Sequence, residues 1–178
     1  MPEPPNSDQR AWVRGVVDKF EGPLTLYAAR LLGDHDSARD VVQETFLRLC
    51  SQNREAVDSH LAEWLFTVCR NRALDVLRKE SRMTHLKEEQ VQRCLSPTPG
   101  PADVAEQSDL AARVMVLLDA LPTNQREVIR LKFQNGFSYQ EISRISGHSV
   151  SNVGYLIHGG MKTLRGLLFD GQPIEARS

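Results

Sequence analysis

The sequence of 178 residues lacks any long run of apolar residues, although apolar side chains make up 40% of it. No stretch approaches the roughly 18 uninterrupted apolar residues that a membrane-spanning helix needs. The amino terminus, from Met1 to Pro5, has neither the basic start nor the apolar segment of a signal peptide. We therefore expect no membrane insertion and a cytoplasmic protein.

Cysteine is scarce, and its spacing argues against its common structural uses. The three cysteines, Cys50, Cys69 and Cys94, show no CxxC spacing and have no histidine pair nearby. This pattern excludes the usual disulfide framework and zinc site. The five histidines are scattered in the same way, and no catalytic constellation is recognisable. The sequence predicts a protein that is not an enzyme and that holds no metal or cofactor.

Alternating apolar runs long enough to predict a β-strand are also missing, whereas apolar residues recur at helical spacing almost throughout. We predict an all-α fold. Three prolines within residues 97–101 disfavour helix, so residues 83–107 are predicted to form a flexible linker. The expected architecture is two small helical domains, residues 10–82 and 108–169, of which the second contains a helix-turn-helix.

Four helices are expected in the first domain. Apolar stripes predict one helix across residues 12–20 and a second across residues 24–32, ended by Gly33. A third begins near residues 34–37, a polar loop follows over residues 51–59, and a fourth runs from about His60 to Arg82. The third helix is expected to bury Val41, Val42, Thr45, Phe46 and Leu49.

The net charge of -1 conceals two basic zones in an otherwise acidic chain. Residues 1–69 hold 7 lysines and arginines against 11 aspartates and glutamates. The basic residues of the two zones are Arg70, Arg72, Arg78, Lys79 and Arg82, and then Arg126, Arg130, Lys132, Arg144, Lys162 and Arg165. Such zones are common on solvated helix faces, but they are also the electrostatic requirement for binding nucleic acid.

The segment from Thr123 to Leu168 carries the punctuation of three helices with short connections. Thr123 or Asn124 is expected to cap a helix that buries Val128, Ile129, Leu131 and Phe133. Ser138 and Glu141 form the pattern of a capping box, Gly147 provides a turn residue, and Ser149 is expected to cap a longer helix. These signals predict a helix-turn-helix, whose second helix enters the DNA major groove. The residues of that helix expected to meet base edges are Ser151, Asn152, Tyr155 and His158.

The fourth helix of the first domain mixes aromatic, amide and cationic side chains, which suit it to bind melted single strands. Its members of this kind include Trp64, Phe66, Arg70, Asn71, Arg72 and Arg78. Burial of an aromatic ring in a core is the more common use of such a residue in a helix.

Four segments, in this order and on both sides of the linker, resemble the extracytoplasmic-function (ECF) group of the sigma-seventy family. They are Asp40-Val-Val-Gln-Glu-Thr-Phe-Leu47, Trp64-Leu-Phe-Thr-Val-Cys-Arg-Asn-Arg-Ala-Leu-Asp75, Leu121-Pro-Thr-Asn-Gln-Arg-Glu-Val128 and Ser138-Tyr-Gln-Glu-Ile-Ser143. The resemblance covers residues 10–82 and 108–169.

The resemblance implies a sigma factor that binds the β and β′ subunits of core RNA polymerase and promoter DNA, and that has an anti-sigma factor as a further partner. It implies that Asp40, Gln43, Glu44 and Phe46 dock on the polymerase. Residues 51–60 and the fourth helix are then expected to capture the melted -10 element, with contacts from Trp64, Arg70, Asn71, Arg72 and Arg78. The helix-turn-helix is expected to read the -35 element, with contacts from Arg126, Ser151, Asn152, Tyr155, His158 and Lys162.

One departure from the family and two other interpretations accompany this prediction. The recognition helix of the family is usually basic where this chain has Gly154, Gly159, Gly160 and Met161. A stand-alone helix-turn-helix regulator would bind duplex DNA without polymerase, and the linker and the Asp40 to Phe46 segment argue against it. A helical adaptor that binds only protein is the third interpretation.

Overall fold

The computed structural model describes residues 7–85 and 114–169, and the chain divides into two compact units, Met1–Thr98 and Pro99–Ser178. We refer to them as the N-terminal and the C-terminal unit. Within the described residues every regular element is a helix, and no strand is present. The predicted all-α fold class is confirmed.

The N-terminal unit is built on three long helices. Its elements are α1 (Ser7–Leu32), α2 (His35–Cys50), α3 (Arg54–Val57), a 3₁₀ turn (Asp58–His60) and α4 (Leu61–His85). α1 packs against both α2 and α4, and α2 packs against α4. The five residues that α2 was expected to bury are all buried.

α1 is one continuous helix, so the prediction of two helices over residues 12–32 is wrong. Pro23 lies inside it and donates no backbone hydrogen bond. Val16, Leu24 and Tyr27 are nevertheless all buried, and their spacing places them on one helical face. Packing of this face against α2 and α4 outweighs the local cost of the proline.

The connections around α2 are tighter than the sequence indicated. Gly33 adopts a positive φ of 74° and ends α1, and the carboxylate of Asp34 accepts hydrogen bonds from the backbone N–H groups of Asp36 and Ser37. These bonds lower the pKa of Asp34, the bonds with Ser37 contributing most. The polar loop predicted over residues 51–59 is instead largely helical, because Asn53 caps α3 and the 3₁₀ turn follows directly.

Within residues 114–169, the part of the C-terminal unit that the structure describes, there are four helical segments: residues 114–119 (α5), α6 (Thr123–Phe133), α7 (Tyr139–Ser146) and α8 (Val150–Phe169). α6 packs against α7 and α8, and α7 packs against α8. α7, the turn at residues 147–149 and α8 form the predicted helix-turn-helix, which is confirmed. Ser149 caps α8 as predicted, since its hydroxyl accepts a hydrogen bond from the Asn152 N–H.

Two predictions around α6 are wrong. The residue before the helix is Pro122 and no side chain caps it, so neither Thr123 nor Asn124 is the cap. Phe133 is 61% exposed, whereas Phe137 is 5% exposed. α6 ends at Phe133, and the chain turns at Gly136, whose φ is 75°. This turn directs Phe137 back into the core.

Most of the predicted linker, residues 86–107, lies outside the described residues. Residues 83–85, which were assigned to that linker, instead form the last turn of α4.

Candidate functional site

α8 presents a polar face to solvent and an apolar face to the core. Ser151, Asn152, Tyr155, His158 and Lys162 are all exposed, and Tyr155, at 74%, is the most open of the large apolar and aromatic residues that the structure describes. Their spacing places them along one side of the helix. The opposite side carries the buried residues Val153, Leu156, Ile157 and Leu164. The five residues predicted to read DNA on this helix therefore share one accessible surface, which we call the α8 face.

Hydrogen bonds fix the turn that presents the α8 face. The Ser138 N–H donates to the Glu141 carboxylate at 2.7 Å, and the Glu141 N–H donates to the Ser138 hydroxyl at 3.3 Å, which completes the capping box. The bonds with Ser138 lower the pKa of Glu141. Gly147 ends α7 with a φ of 77°, and the Ser143 hydroxyl donates to the His148 carbonyl at 2.6 Å. Local bonds thus fix both ends of α7, including the turn that leads into α8.

Close packing on α6 holds the middle of α8. Gly160 is buried, and a Cβ atom at this position would lie 2.5 Å from Cδ1 of Ile129. At Gly159 the nearest atom to such a Cβ would be Nε2 of Gln125, at 3.4 Å. A Cβ at Gly154 would meet only ordinary contacts with the Tyr139 ring, the nearest at 3.6 Å. Among the described glycines, Gly160 is thus the one at which an added Cβ would force a neighbouring side chain, that of Ile129, to shift.

Arg126, which was predicted to contact the -35 element, is engaged within its own unit. Its guanidinium donates to the Leu121 carbonyl at 3.0 Å and to Asp119 at 3.4 Å. Arg130 also donates to Asp119, at 3.0 Å, and burial lowers the pKa of the Arg130 guanidinium. One carboxylate therefore holds two arginines where α5 meets α6. Arg126 does not lie on the α8 face.

On α2, three of the four residues predicted to dock on polymerase are accessible. Asp40 and Gln43 are exposed and Glu44 is half-exposed. Phe46 is 9% exposed and belongs to the core, so its predicted place in the docking surface is wrong. Leu47 is 70% exposed beside these residues. Its place on the surface was not predicted from the sequence, because an apolar residue in an amphipathic helix is ordinarily assigned to the core.

An ion pair joins α2 to α4. Nε of Arg72 donates to the Glu44 carboxylate at 2.6 Å, and Arg48 lies 3.5 Å from the same carboxylate. Arg72 was predicted to bind DNA and Glu44 to bind polymerase, yet here they bind each other. Both side chains are a little over a third exposed, so water and salt screen the pair.

The outer side of α4 carries Trp64, Asn71 and Arg78 at intervals of seven residues, which places them on one face. Trp64 is half-exposed and the other two are exposed. Arg70 is half-exposed as well. Phe66 is 2% exposed, and its ring lies tilted against that of Tyr27 with 5.1 Å between the ring centroids, so it is a core residue and not part of a base-stacking surface.

Two further observations concern the described residues alone. Among residues 7–85 and 114–169, no cluster of three histidine, cysteine or acidic side chains is arranged to hold a metal ion. In the same part of the chain, no helix combines the length and the apolar character needed to cross a membrane.

Comparison of the chain with known proteins shows which family it belongs to. Residues 16–83 match the family model described as sigma-70 region 2, and residues 111–164 match the model described as sigma-70 region 4. The chain is 33% identical over 147 residues to the ECF RNA polymerase sigma factor EcfG of Rhodopseudomonas palustris, a match that covers 82% of this chain and 79% of that protein.

The chain belongs to the ECF group of the sigma-70 family. It is a sigma factor that directs transcription initiation at promoters. This ECF sigma factor is also 30% identical over 161 residues to SigL of Mycobacterium tuberculosis, with 88% of this chain and 89% of SigL covered.

Two solved structures resemble this sigma factor. One is the sigma factor RpoE in complex with the anti-sigma factor NepR from Bartonella quintana, with a TM-score of 0.65, 24% identity and coverage of 89% of this chain and 98% of that chain. The other is CnrH in complex with the cytosolic domain of CnrY, with a TM-score of 0.58, 25% identity and coverage of 93% and 92%. Because its identity to this chain is only 24%, the RpoE structure supports the fold of this chain and nothing further.

Proposed function

We propose that the N-terminal unit of this sigma factor docks on core polymerase through α2 and captures the melted -10 element through residues 51–60 and α4, while α8 reads the -35 element. The observation that carries the proposal is the α8 face. It combines hydrogen-bonding side chains with a cation on the accessible side of the second helix of a helix-turn-helix, the side that meets base edges in such motifs.

The proposed polymerase surface consists of Asp40, Gln43, Glu44 and Leu47. It places acidic and amide groups beside one exposed leucine, a combination that gives a partner both charge complementarity and apolar area to bury. Phe46 supports this surface from within the core.

The proposed surface for the melted strand is the outer side of α4. Trp64 offers ring area for stacking, Asn71 offers an amide for hydrogen bonding to a base edge, and Arg78 offers a cation for phosphate. Arg78 pairs with Asp75 at 3.1 Å, but both side chains are more than half exposed. Such a pair contributes little to stability and exchanges readily for a phosphate.

For the upstream element, we assign Asn152, Tyr155 and His158 to base edges and Lys162 to phosphate. Ser151 lies beside Asn152 at the start of the same face. Arg126 contributes indirectly, through its bonds within the unit. We further propose that the chain acts by binding alone, that it works in the cytoplasm with the polymerase, and that an anti-sigma factor controls it, as the NepR and CnrY complexes of its structural relatives suggest.

Promoter-dependent transcription with the purified chain tests the proposal. A pool of duplex fragments is transcribed by core polymerase with and without the chain, and selected fragments are recovered. Specific initiation only when both proteins are present is the expected result. Sequence-specific binding of duplex by the chain alone would favour the stand-alone regulator, and polymerase binding without promoter choice would favour the adaptor.

Variants assign the surfaces in the same assay. Reversal of charge at both Asp40 and Glu44 to arginine should lower polymerase affinity at least about tenfold, because it places like charge against the partner. The matched control is the same reversal at Asp18 and Glu21, two exposed residues of α1. Asn152→Ala should leave polymerase affinity unchanged and relax the choice at one upstream base pair by about 1–3 kcal/mol. A loss of equal size on every upstream sequence would contradict its role as a base reader.

A further inference from the structure

The first turns of α1 hold the segment of residues 51–60 in place. The indole N–H of Trp12 donates to the Asp58 carboxylate at 3.3 Å. Arg54 lies over the Trp12 ring at 5.8 Å from its centroid and 3.7 Å from the Asp58 carboxylate. One indole thus contacts both α3 and the 3₁₀ turn. We call these three residues the Trp12 cluster.

A second contact from α1 reaches the beginning of the same segment. The Gln9 amide donates to the backbone carbonyl of Gln52 at 3.2 Å. Gln9 and Trp12 both precede residue 16, where the match to sigma-70 region 2 begins. The matched part of the family pattern therefore assigns them no role.

The segment needs such an anchor because little of it is buried. Val57 is its one buried side chain among residues 51–60, all of which the structure describes. Two short helical elements attached by a single apolar residue would otherwise exchange between arrangements, since few contacts hold them. The Trp12 cluster and Gln9 add polar contacts near both ends.

We propose that Trp12 is a positioning residue that sets base selection in the melted -10 element by holding residues 51–60 in the arrangement that captures a base. This inference rests on the proposed function of that segment. A base outside the stack is recognised by a shaped pocket, so an ordered segment loses less conformational freedom on binding and discriminates more sharply.

The test measures base selection by the complete holoenzyme. Core polymerase with the full chain is offered single-stranded non-template fragments of the selected promoter, in which each melted position is substituted in turn. The captured position is the one whose substitution weakens binding most. Affinity for the preferred and the substituted base is then compared between the unaltered chain and its variants.

Trp12→Phe keeps an aromatic ring beneath Arg54 and removes the indole donor. We expect binding of the preferred fragment to fall about three- to tenfold, the range of one hydrogen bond. Binding of the substituted fragment and affinity for core polymerase should be unchanged. If Trp12 only stabilised the fold, the substitution would instead lower the binding affinity for both fragments equally.

Asp58 provides the matched pair of variants. Asp58→Asn keeps an oxygen that accepts the indole N–H, so it should weaken base selection less than Asp58→Ala does. Adding Trp12→Phe to Asp58→Ala should have no further effect, because both changes remove the same hydrogen bond. Additive losses would overturn the proposed link between these residues.

A direct change in the segment separates failure of this inference from failure of the proposed function. Ser59 and His60 are exposed on the 3₁₀ turn, and their joint replacement by alanine alters the segment without touching the Trp12 cluster. If this variant changes base selection and Trp12→Phe does not, Trp12 has no positioning role. If neither variant changes base selection, the segment does not capture the strand, and both proposals fail.

Discussion

The two helices assigned to DNA differ in how they carry charge. In the N-terminal unit, α4 carries three acidic residues, Glu63, Asp75 and Glu80, interspersed with its basic residues. Its Arg72 forms an ion pair with Glu44, and its Arg78 forms one with Asp75. α8 in the C-terminal unit contains no acidic residue, and among the described residues neither Lys162 nor Arg165 forms an ion pair.

A chain of net charge -1 can thus present basic residues to DNA in two ways, either paired with carboxylates or without them. In the proposed function, the carboxylates of α4 reduce its attraction to phosphate until an ion pair is exchanged, so contact is favoured only where a strand is held close. α8 carries few cations, but it has no acidic residue of its own to reduce their attraction to phosphate. In the proposed function, the hydrogen-bonding groups of Asn152 and His158 provide selectivity, whereas the cations provide affinity that depends on salt.

The largest expected effect concerns which aromatic residue of α4 faces outward. Phe66→Ala should lower the free energy of unfolding of the N-terminal unit by about 3–5 kcal/mol, because it removes a buried ring. Trp64→Ala should cost clearly less and should weaken binding of the melted strand. Both substitutions are followed by circular dichroism. A small loss from Phe66→Ala would contradict its burial against Tyr27.

Gly160→Ala tests the close packing of α8 on α6. The added Cβ would lie 2.5 Å from Ile129 Cδ1, so the C-terminal unit should lose about 1–2 kcal/mol of stability after the gain in helix propensity. Gly166→Ala is the matched control, since a Cβ there meets no atom within 4 Å. It should stabilise the unit by about 0.5–1 kcal/mol.

Thermal unfolding followed by two probes assigns the effect of each glycine variant to the C-terminal unit. Both tryptophans, Trp12 and Trp64, lie in the N-terminal unit, so their fluorescence follows that unit alone, whereas circular dichroism follows both. Gly160→Ala should lower the transition seen by circular dichroism and leave the fluorescence transition unchanged. A rise in melting temperature would show that Ile129 moves aside at no cost.

Acid should produce the smallest effect, and in both units. The folded pKa is lowered for Asp34 at the start of α2 and for Glu141 at the start of α7 by hydrogen bonds from backbone N–H groups. Their contribution to stability is complete above the ordinary carboxyl pKa, about 4, and is lost as the pH falls through the lowered folded value. Hydrogen exchange of residues 35–38 and 139–146 should quicken in that range. Glu141→Gln should abolish the pH dependence of residues 139–146 only.

Local signals predicted the helix-turn-helix in detail. The capping box at Ser138 and Glu141, the turn glycine Gly147 and the cap at Ser149 all depend on atoms within a few residues of each other, so the sequence contains the whole interaction. The accessible residues of the α8 face followed from helical periodicity alone. The place of Phe133 was predicted wrongly, because it depends on a turn that periodicity does not describe, and the bonds of Arg126 to Asp119 and Leu121 were not predicted for the same reason.

Sequence motifs predicted the family, and helix propensity, capping and apolar spacing, which act over a turn or two of chain, predicted the helical class and the side of α8 that faces outward. Tertiary packing was needed to show that α1 continues through Pro23, that Arg72 binds Glu44, that Ile129 fills the space above Gly160 and that Trp12 reaches Asp58. These contacts join residues far apart in sequence, and their free energy depends on packing geometry that arises only when the helices have assembled.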